Sequence, residues 1–428
     1  MRASWRRAAV ITLTIVALGV VAQAPIPAAA PRLRYAAIVI RHGVRSPTWT
    51  TDRLRQWSAE PWPSFDVAPG ELTPRGRVLI TLLGSYYRQW FAREGLLEDG
   101  CRDAARVYIW ADTDQRTVET GRALAESVLP GCAPTVHRFD GGEDPLFDPI
   151  AAGVVHPNPA TLAADMRGRL AQQRAAIESG LRPRLDALQR VLTGDGRADH
   201  TLAEQGLTLG VSESANGADL TGPLSTASTM SENLLLEYAN GFSGHDLGWG
   251  RLDETALAAV LELHGQYADL TRRTPAIAKA RSSTLLARVH ASLAQAVTGR
   301  TVNGALGTPS DRALIVSGHD TNLSNLSGML DLTWRLPGYQ QDETPPGGAL
   351  VVTLWNDPGS NMPIVRLAYV AQTLSQMRST TPLSLSHPPA SADVHVPACR
   401  AEERDGGCPW PVFNRIVAGA IDPAFVAR

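Results

Sequence analysis

Arg41-His42-Gly43-Val44-Arg45-Ser46-Pro47 sets an imidazole between guanidinium groups, and far along the chain Ser317-Gly318-His319-Asp320 sets a second imidazole beside a carboxyl group. Guanidiniums are planar forks of donors that match phosphate oxygens in pairs. Their charge counts most where negative charge spreads over the equatorial oxygens of a phosphoryl group in transfer. An imidazole among them is a candidate nucleophile. Free histidine is largely protonated in acid, but neighbouring cations lower its pKa and preserve the neutral, attacking form. A carboxyl group does complementary work: it protonates a departing alkoxide, and as carboxylate it then activates water. The pattern therefore points to His42 as nucleophile, Asp320 as proton donor, and Arg41, Arg45 and His319 as groups that hold a phosphate. Arg116, in "VYIWADTDQRT", is a further guanidinium at the start of a helical pattern, where backbone N–H groups also favour an anion.

Such groups act together only if the fold delivers them to one place. Apolar, β-branched or aromatic runs at 35–40, 107–110, 135–139, 313–316, 350–355 and 364–370 read as strands. The first run ends at Arg41-His42, the second just before Arg116, and the fourth at Ser317-Gly318-His319-Asp320. In open α/β sheets ligands bind beyond the carboxyl ends of strands, so these ends can share a pocket. Helical patterns lie between them. One starts with Thr73 as N-cap and Pro74 at the first helical position; another has Thr113 or Asp114 as cap and stops at Pro130-Gly131; a third begins near Thr321.

Alternation of strand and helix predicts an α/β fold with a mainly parallel central sheet flanked by helices. From residue 144 to 274 strand signals fade, and Ala, Leu, Arg and Glu recur at helical spacing. This segment reads as a smaller α-helical domain inserted into an α/β core of residues 31–143 and 275–428. The last strands, divided by "NDPGSNMP", read as a hairpin. No internal repeat or long low-complexity tract interrupts the pattern.

Composition removes several other classes. A formal net charge of -2 over 428 residues gives no electrostatic ground for nucleic acid or an anionic membrane as partner. Lys279 is the single lysine and follows an alanine, so no phosphate-binding loop of the G-x-x-x-x-G-K-[ST] kind can be written. With arginine supplying nearly every cation, position and not residue type must mark the functional ones. The first 30 residues have a basic start, an apolar run and the small-residue stretch "AQAPIPAAA", the parts of an export signal; an uncleaved anchor is the alternative. Cys101, Cys132, Cys399 and Cys408 carry no zinc-site spacing, so disulfides Cys101–Cys132 and Cys399–Cys408 are expected in an oxidising compartment, with free buried thiols as the alternative. The expected location is periplasmic or secreted, and the expected state monomeric.

"RHGVRSP" together with "SGHDTNL" resembles the histidine acid phosphatase family, the branch of the histidine phosphatase superfamily that includes bacterial periplasmic phytases and glucose-1-phosphatases. "ELTPRG", "ADTDQRTVETG", "DPLFDP", "GWGRL", "RTPAIAKAR", "LPGYQQDETPPGGALV" and "QTLSQMRSTTPLSL" extend the likeness over nearly all of the mature chain. The resemblance implies an α/β core with a helical insertion, small-molecule phosphate monoesters as substrates, no cofactor and no metal. It implies a phosphohistidine at His42, phosphate held by Arg41, Arg45, Arg116 and His319, and proton donation by Asp320. It also places Thr48, Glu232, His264, Arg281 and Thr321 in the substrate pocket. Phytases of this kind commonly carry a lysine directly after the Pro-Thr of the first motif. Trp49 stands there instead, removing a cation that would meet the outer phosphates of inositol hexakisphosphate, whereas Thr321 leans towards phytase-like members.

Three other readings follow from the same residues. A narrow sugar phosphatase would share the machinery. A non-catalytic phospholigand-binding protein would use the arginines but has no evident need of Asp320. A metal-dependent phosphohydrolase would place a His-Asp pair on a helix with further ligands, whereas here the pair follows a strand.

Overall fold

The computed structural model describes residues 31–427 apart from 99, 133, 216 and 357–361. The export signal expected at residues 1–30 lies outside the described residues. Strand β1 (Arg32–Arg41) pairs in parallel with β6 (Ala313–Gly318), which pairs in parallel with β2 (Val107–Ala111), as β2 does with β3 (Val136–Arg138). On its other side β1 meets β7 (Ala349–Asn356) antiparallel, followed by β8 (Pro363–Ala371), which also pairs with β9 (Ala390–Val394) and β10 (Cys408–Pro409). The result is a mixed sheet in the order β10-β8-β7-β1-β6-β2-β3, parallel through its centre. Central strands covered on both faces must be apolar without alternation. Every residue of β6 is buried, as is β1 from Tyr35 onward.

One face is covered by α2 (Pro74–Arg93) and α3 (Gln115–Val128), where Ile38, Ile40 and Ile109 pack with Ile80, Leu83 and Leu124. Thr73 caps α2 by accepting from the Gly76 N–H at 2.9 Å, with Pro74 behind it, and Asp114 holds the N-cap position of α3. The start of α2 is pressed onto the loop after β1. A Cβ on Gly76 would lie 2.1 Å from the Val44 carbonyl oxygen, a distance no side chain tolerates.

The opposite face carries α4 (Pro159–Thr193), α5 (Pro223–Ala239), α6 (Glu254–Arg272), α7 (Pro275–Thr298), α8 (Asp320–Leu330) and, nearer the end, α10 (Trp410–Ala420). Leu162, Leu185, Leu234, Leu261 and Leu285 share one continuous apolar core with Val39, Leu314, Val316 and Leu350 of the sheet. The stretch 144–274 also contains a hairpin, β4 (Gly210–Ser214) with β5 (Gly217–Thr221), where the sequence reads as loop. Its strands are short and half polar, which is why composition gave no strand signal there. Both expected disulfides are formed, with Cα separations of 5.2 Å for Cys101–Cys132 and 5.9 Å for Cys399–Cys408. Two short helices, α1 (Thr51–Arg55) and α9 (Leu374–Ser379), complete the set. Among the described residues no helix is long and apolar enough to cross a membrane.

Candidate active site

The site is built by strand register. Parallel pairing sets Arg41 of β1 opposite Gly318 of β6, and Ala111 of β2 opposite Ser317, so the chain leaves the sheet at His42, Asp112 and His319 side by side. The His42 N–H donates to the Gly318 carbonyl at 2.9 Å, and the Asp112 N–H to that of Ser317 at 3.0 Å, extending both ladders by one residue. Helix α3 then presents Arg116 in its first turn, and α8 presents Asp320 at its first position. A cleft of about 270 Å³ opens beyond these ends, lined by His42, Arg45, Arg116, His319 and Asp320.

His42 is buried, and its Nδ1 lies 2.8 Å from the Gly43 carbonyl oxygen. A carbonyl only accepts, so Nδ1 carries the hydrogen and Nε2 keeps the lone pair. Burial first, then the charges of Arg41, Arg116, His319 and Arg45, hold the imidazole well below the ordinary histidine range. A neutral nucleophile in acid is the consequence.

The guanidiniums are held by carboxylates. Glu232 of α5 accepts from Nη2 of Arg41 and, at 3.1 Å, from Nη2 of Arg45. Burial alone would raise the Glu232 carboxyl, but the charges of Arg45 and Arg41 outweigh it and pull the group down to about 2. Arg41 is fully buried and also donates to the Thr344 carbonyl at 2.6 Å. Arg116 pairs with Asp114, and Nε2 of His319 donates to Oδ2 of Asp112 at 2.6 Å. Asp320 pairs with Arg272, the last residue of α6.

Of the positions expected in the substrate pocket, Thr48, Arg281 and Thr321 line the cleft, while Glu232, His264 and Trp49 are not among its lining side chains. Glu232 is turned to the arginines. His264 is buried, with Nδ1 3.0 Å from the Ser228 hydroxyl, and burial lowers its pKa. Trp49 is half-buried and carries the Arg53 guanidinium 3.6 Å above its ring, so a cation stands beside the position that lacks a lysine.

Sequence reasoning missed Asp112, Asp114 and Arg272. The two aspartates lie within three residues of the end of β2, and that position beside the end of β6 is the signal for partners of His319. Arg272 had no such signal, being one of two adjacent arginines at a helix end. Asp112, Asp114 and His319 could together hold a metal ion, as could Glu232, His264 and Asp320. In both sets a cation would compete with guanidiniums already paired to the carboxylates.

A buried neutral imidazole among guanidiniums, at the carboxyl edge of a mixed α/β sheet and on one cleft with an acid, defines a phosphohydrolase of the histidine type. The model of the histidine phosphatase superfamily (branch 2) matches residues 32–370. Phytase AppA of Escherichia coli is 36% identical over 409 residues, covering 92% of this chain and 94% of that protein. A glucose-1-phosphatase of Providencia rettgeri is 26% identical over 398 residues, covering 90% and 91%. The solved phytase of Citrobacter braakii matches with a TM-score of 0.85 at 35% identity, covering 93% of this chain and 100% of that one. Hafnia alvei phytase in complex with myo-inositol hexakis sulphate matches at 0.83 and 33%, covering 93% and 99%. The chain belongs to the histidine phosphatase superfamily (branch 2), and is a histidine acid phosphatase.

Proposed function

We propose that the protein is an exported acid phosphomonoesterase, phytase-like or broad in specificity, that works through a phosphohistidine on His42. Nε2 of His42 attacks phosphorus as the ester P–O bond breaks, and the leaving oxygen takes its proton through Asp320. Water then attacks phosphorus as the P–N bond breaks, with the Asp320 carboxylate receiving its proton. Arg45, Arg116 and His319 hold the phosphoryl oxygens at the cleft, and Arg41 braces the group from within its pair with Glu232. Thr48, Arg281 and Thr321 meet the rest of the substrate. The observation that carries this reading is the meeting of His42, Arg45, Arg116 and Asp320 on one cleft, although they come from separate strand ends and helices.

Glucose 1-phosphate is the second substrate reading, because Trp49 stands where a phytase-like chain would carry a lysine for the outer phosphates of inositol hexakisphosphate. Phosphate release from phytate, glucose 1-phosphate and p-nitrophenyl phosphate at acid pH separates the readings. Turnover of phytate at a rate comparable with the aryl phosphate supports the first, and turnover confined to glucose 1-phosphate supports the second. No turnover of any monoester would leave a binding protein.

A further inference from the structure

Arg272 and Arg273 are adjacent, yet the fold gives them different work. Arg273 turns away from the cleft and donates to the Ser327 hydroxyl at 2.7 Å and the Leu332 carbonyl at 2.8 Å, bracing α8. Arg272 reaches Asp320 itself, donating from Nη1 to Oδ2, with the two side chains 16% and 12% exposed. The proton-transfer group is therefore held at one of its two oxygens by a permanent cation.

Other charged or titratable groups surround it. Arg41 stands at the end of β1, Arg45 in the loop after it, His264 on α6, Glu232 on α5, and Glu343 in the segment before β7. Arg116 of α3, Arg281 of α7 and the neighbouring His319 line the same cleft. Burial would raise the Asp320 carboxyl, but Arg272 first, then Arg41 and His264, hold it well below the usual carboxylate range. The ion pair with Arg272 favours the carboxylate form of Asp320 when substrate arrives.

We propose that Arg272 is a positioning residue for the reaction: by anchoring Oδ2 of Asp320 in an ion pair it leaves Oδ1 as the exchanging atom, so that the proton given to the leaving oxygen enters the site on the phosphate monoester monoanion. This rests on the reading of His42 as nucleophile and of Asp320 as the group through which the leaving oxygen takes its proton. In the first step Nε2 of neutral His42 bonds to phosphorus as the ester bond breaks. The proton on a phosphoryl oxygen passes to Oδ1 and on to the ester oxygen, which leaves as the alcohol. Asp320 ends the step as a carboxylate still paired with Arg272. In the second step water bonds to phosphorus as the P–N bond breaks. Its proton passes by Oδ1 to a phosphoryl oxygen, releasing dihydrogen phosphate and neutral His42. Arg272 thus favours the second step, which needs a carboxylate, down to lower pH.

The test measures kcat against pH across the acid range for wild type, Arg272→Gln and Arg272→Lys, with rapid-quench trapping of phosphohistidine at the acid end. In Arg272→Gln the acid limb moves up by about one pH unit or more, the size of a lost neighbouring opposite charge. Trapped phosphohistidine rises several-fold there, because its breakdown slows first. Arg272→Lys keeps the cation and returns the limb towards wild type. The alkaline limb follows loss of the substrate monoanion near about pH 6 and stays in place. If wild type traps label but both variants lose kcat by one factor at every pH, the Arg272 proposal alone is overturned. If wild type traps no phosphohistidine, the reading of His42 falls and takes this proposal with it.

Discussion

The imidazoles of His42 and His319 meet nearly edge to face, ring centroids 5.5 Å apart, because the parallel register of β1 and β6 ends both strands at the same level. On the proposed reading, one histidine attacks the phosphoryl group and the other helps to hold it. His319 is in turn oriented by Asp112 at 2.6 Å. His319→Ala is expected to lower kcat/KM by about 10²–10³, the range for removing one donor to developing negative charge. Asp112→Asn keeps the donor but loosens its aim and costs less, up to about 10²-fold. Steady-state kinetics on an aryl phosphate check the order; an Asp112→Asn enzyme equal to wild type would remove Asp112 from the account.

Glu232 joins Arg41 to Arg45, and its replacement leaves buried guanidiniums without their carboxylate. Glu232→Gln is expected to lose about 3–5 kcal/mol of stability, the usual result of breaking a buried pair from one side. The wild-type contribution has a definite pH sign. The folded carboxyl is pulled down to about 2 from an ordinary 4.5, so its stabilisation is present above that ordinary value and disappears as pH falls towards 2. Urea melts across this window show a steep acid loss in wild type and a shallower one in the variant. Parallel curves would contradict the assignment.

Glu237 works in the opposite direction. It is wholly buried, its Oε2 accepts from the Gly248 N–H at 2.9 Å, and burial pushes its pKa up to about 8. The folded state therefore retains a proton that the unfolded chain releases, and stability declines as pH rises from about 4.5 to about 8, by roughly 1.4 kcal/mol per pH unit for one such group. Glu343, pushed up to about 7, adds to the same slope. Glu237→Gln should flatten the pH dependence of Tm through this range; a Tm profile unchanged by the substitution would show that Glu237 does not titrate there.

Trp49, under the Arg53 guanidinium and outside the cleft lining, stands where the resemblance leads one to expect a lysine in the first motif. Trp49→Lys is expected to raise kcat/KM on phytate relative to glucose 1-phosphate by about two- to fivefold, the worth of one exposed ion pair. A ratio that stays the same or falls would assign phytate selectivity elsewhere in the cleft.

Much of this architecture can be read from residues alone, for physical reasons. Strands buried on both faces are continuously apolar, which is why β1 and β6 stand out and why their ends flag His42 and His319. Capping chemistry is equally local, so Thr73 and Pro74 mark the start of α2 without help from the rest of the fold. The hairpin β4–β5 is not legible, since its strands are short and expose much of their polar side. Nor are the pairings of Glu232 with Arg41 and of Arg272 with Asp320, which span 191 and 48 residues. In a chain whose cations are nearly all arginine, only the tertiary fold says which guanidinium meets which carboxylate.

The central claim is that His42 carries the phosphoryl group, and rapid-quench trapping with a ³²P-labelled monoester tests it most directly. Wild-type protein should retain acid-labile, alkali-stable label at up to one phosphoryl group per chain during turnover, and His42→Ala should retain none. Equal labelling of the two proteins, or turnover by wild type with no labelled intermediate, would contradict it.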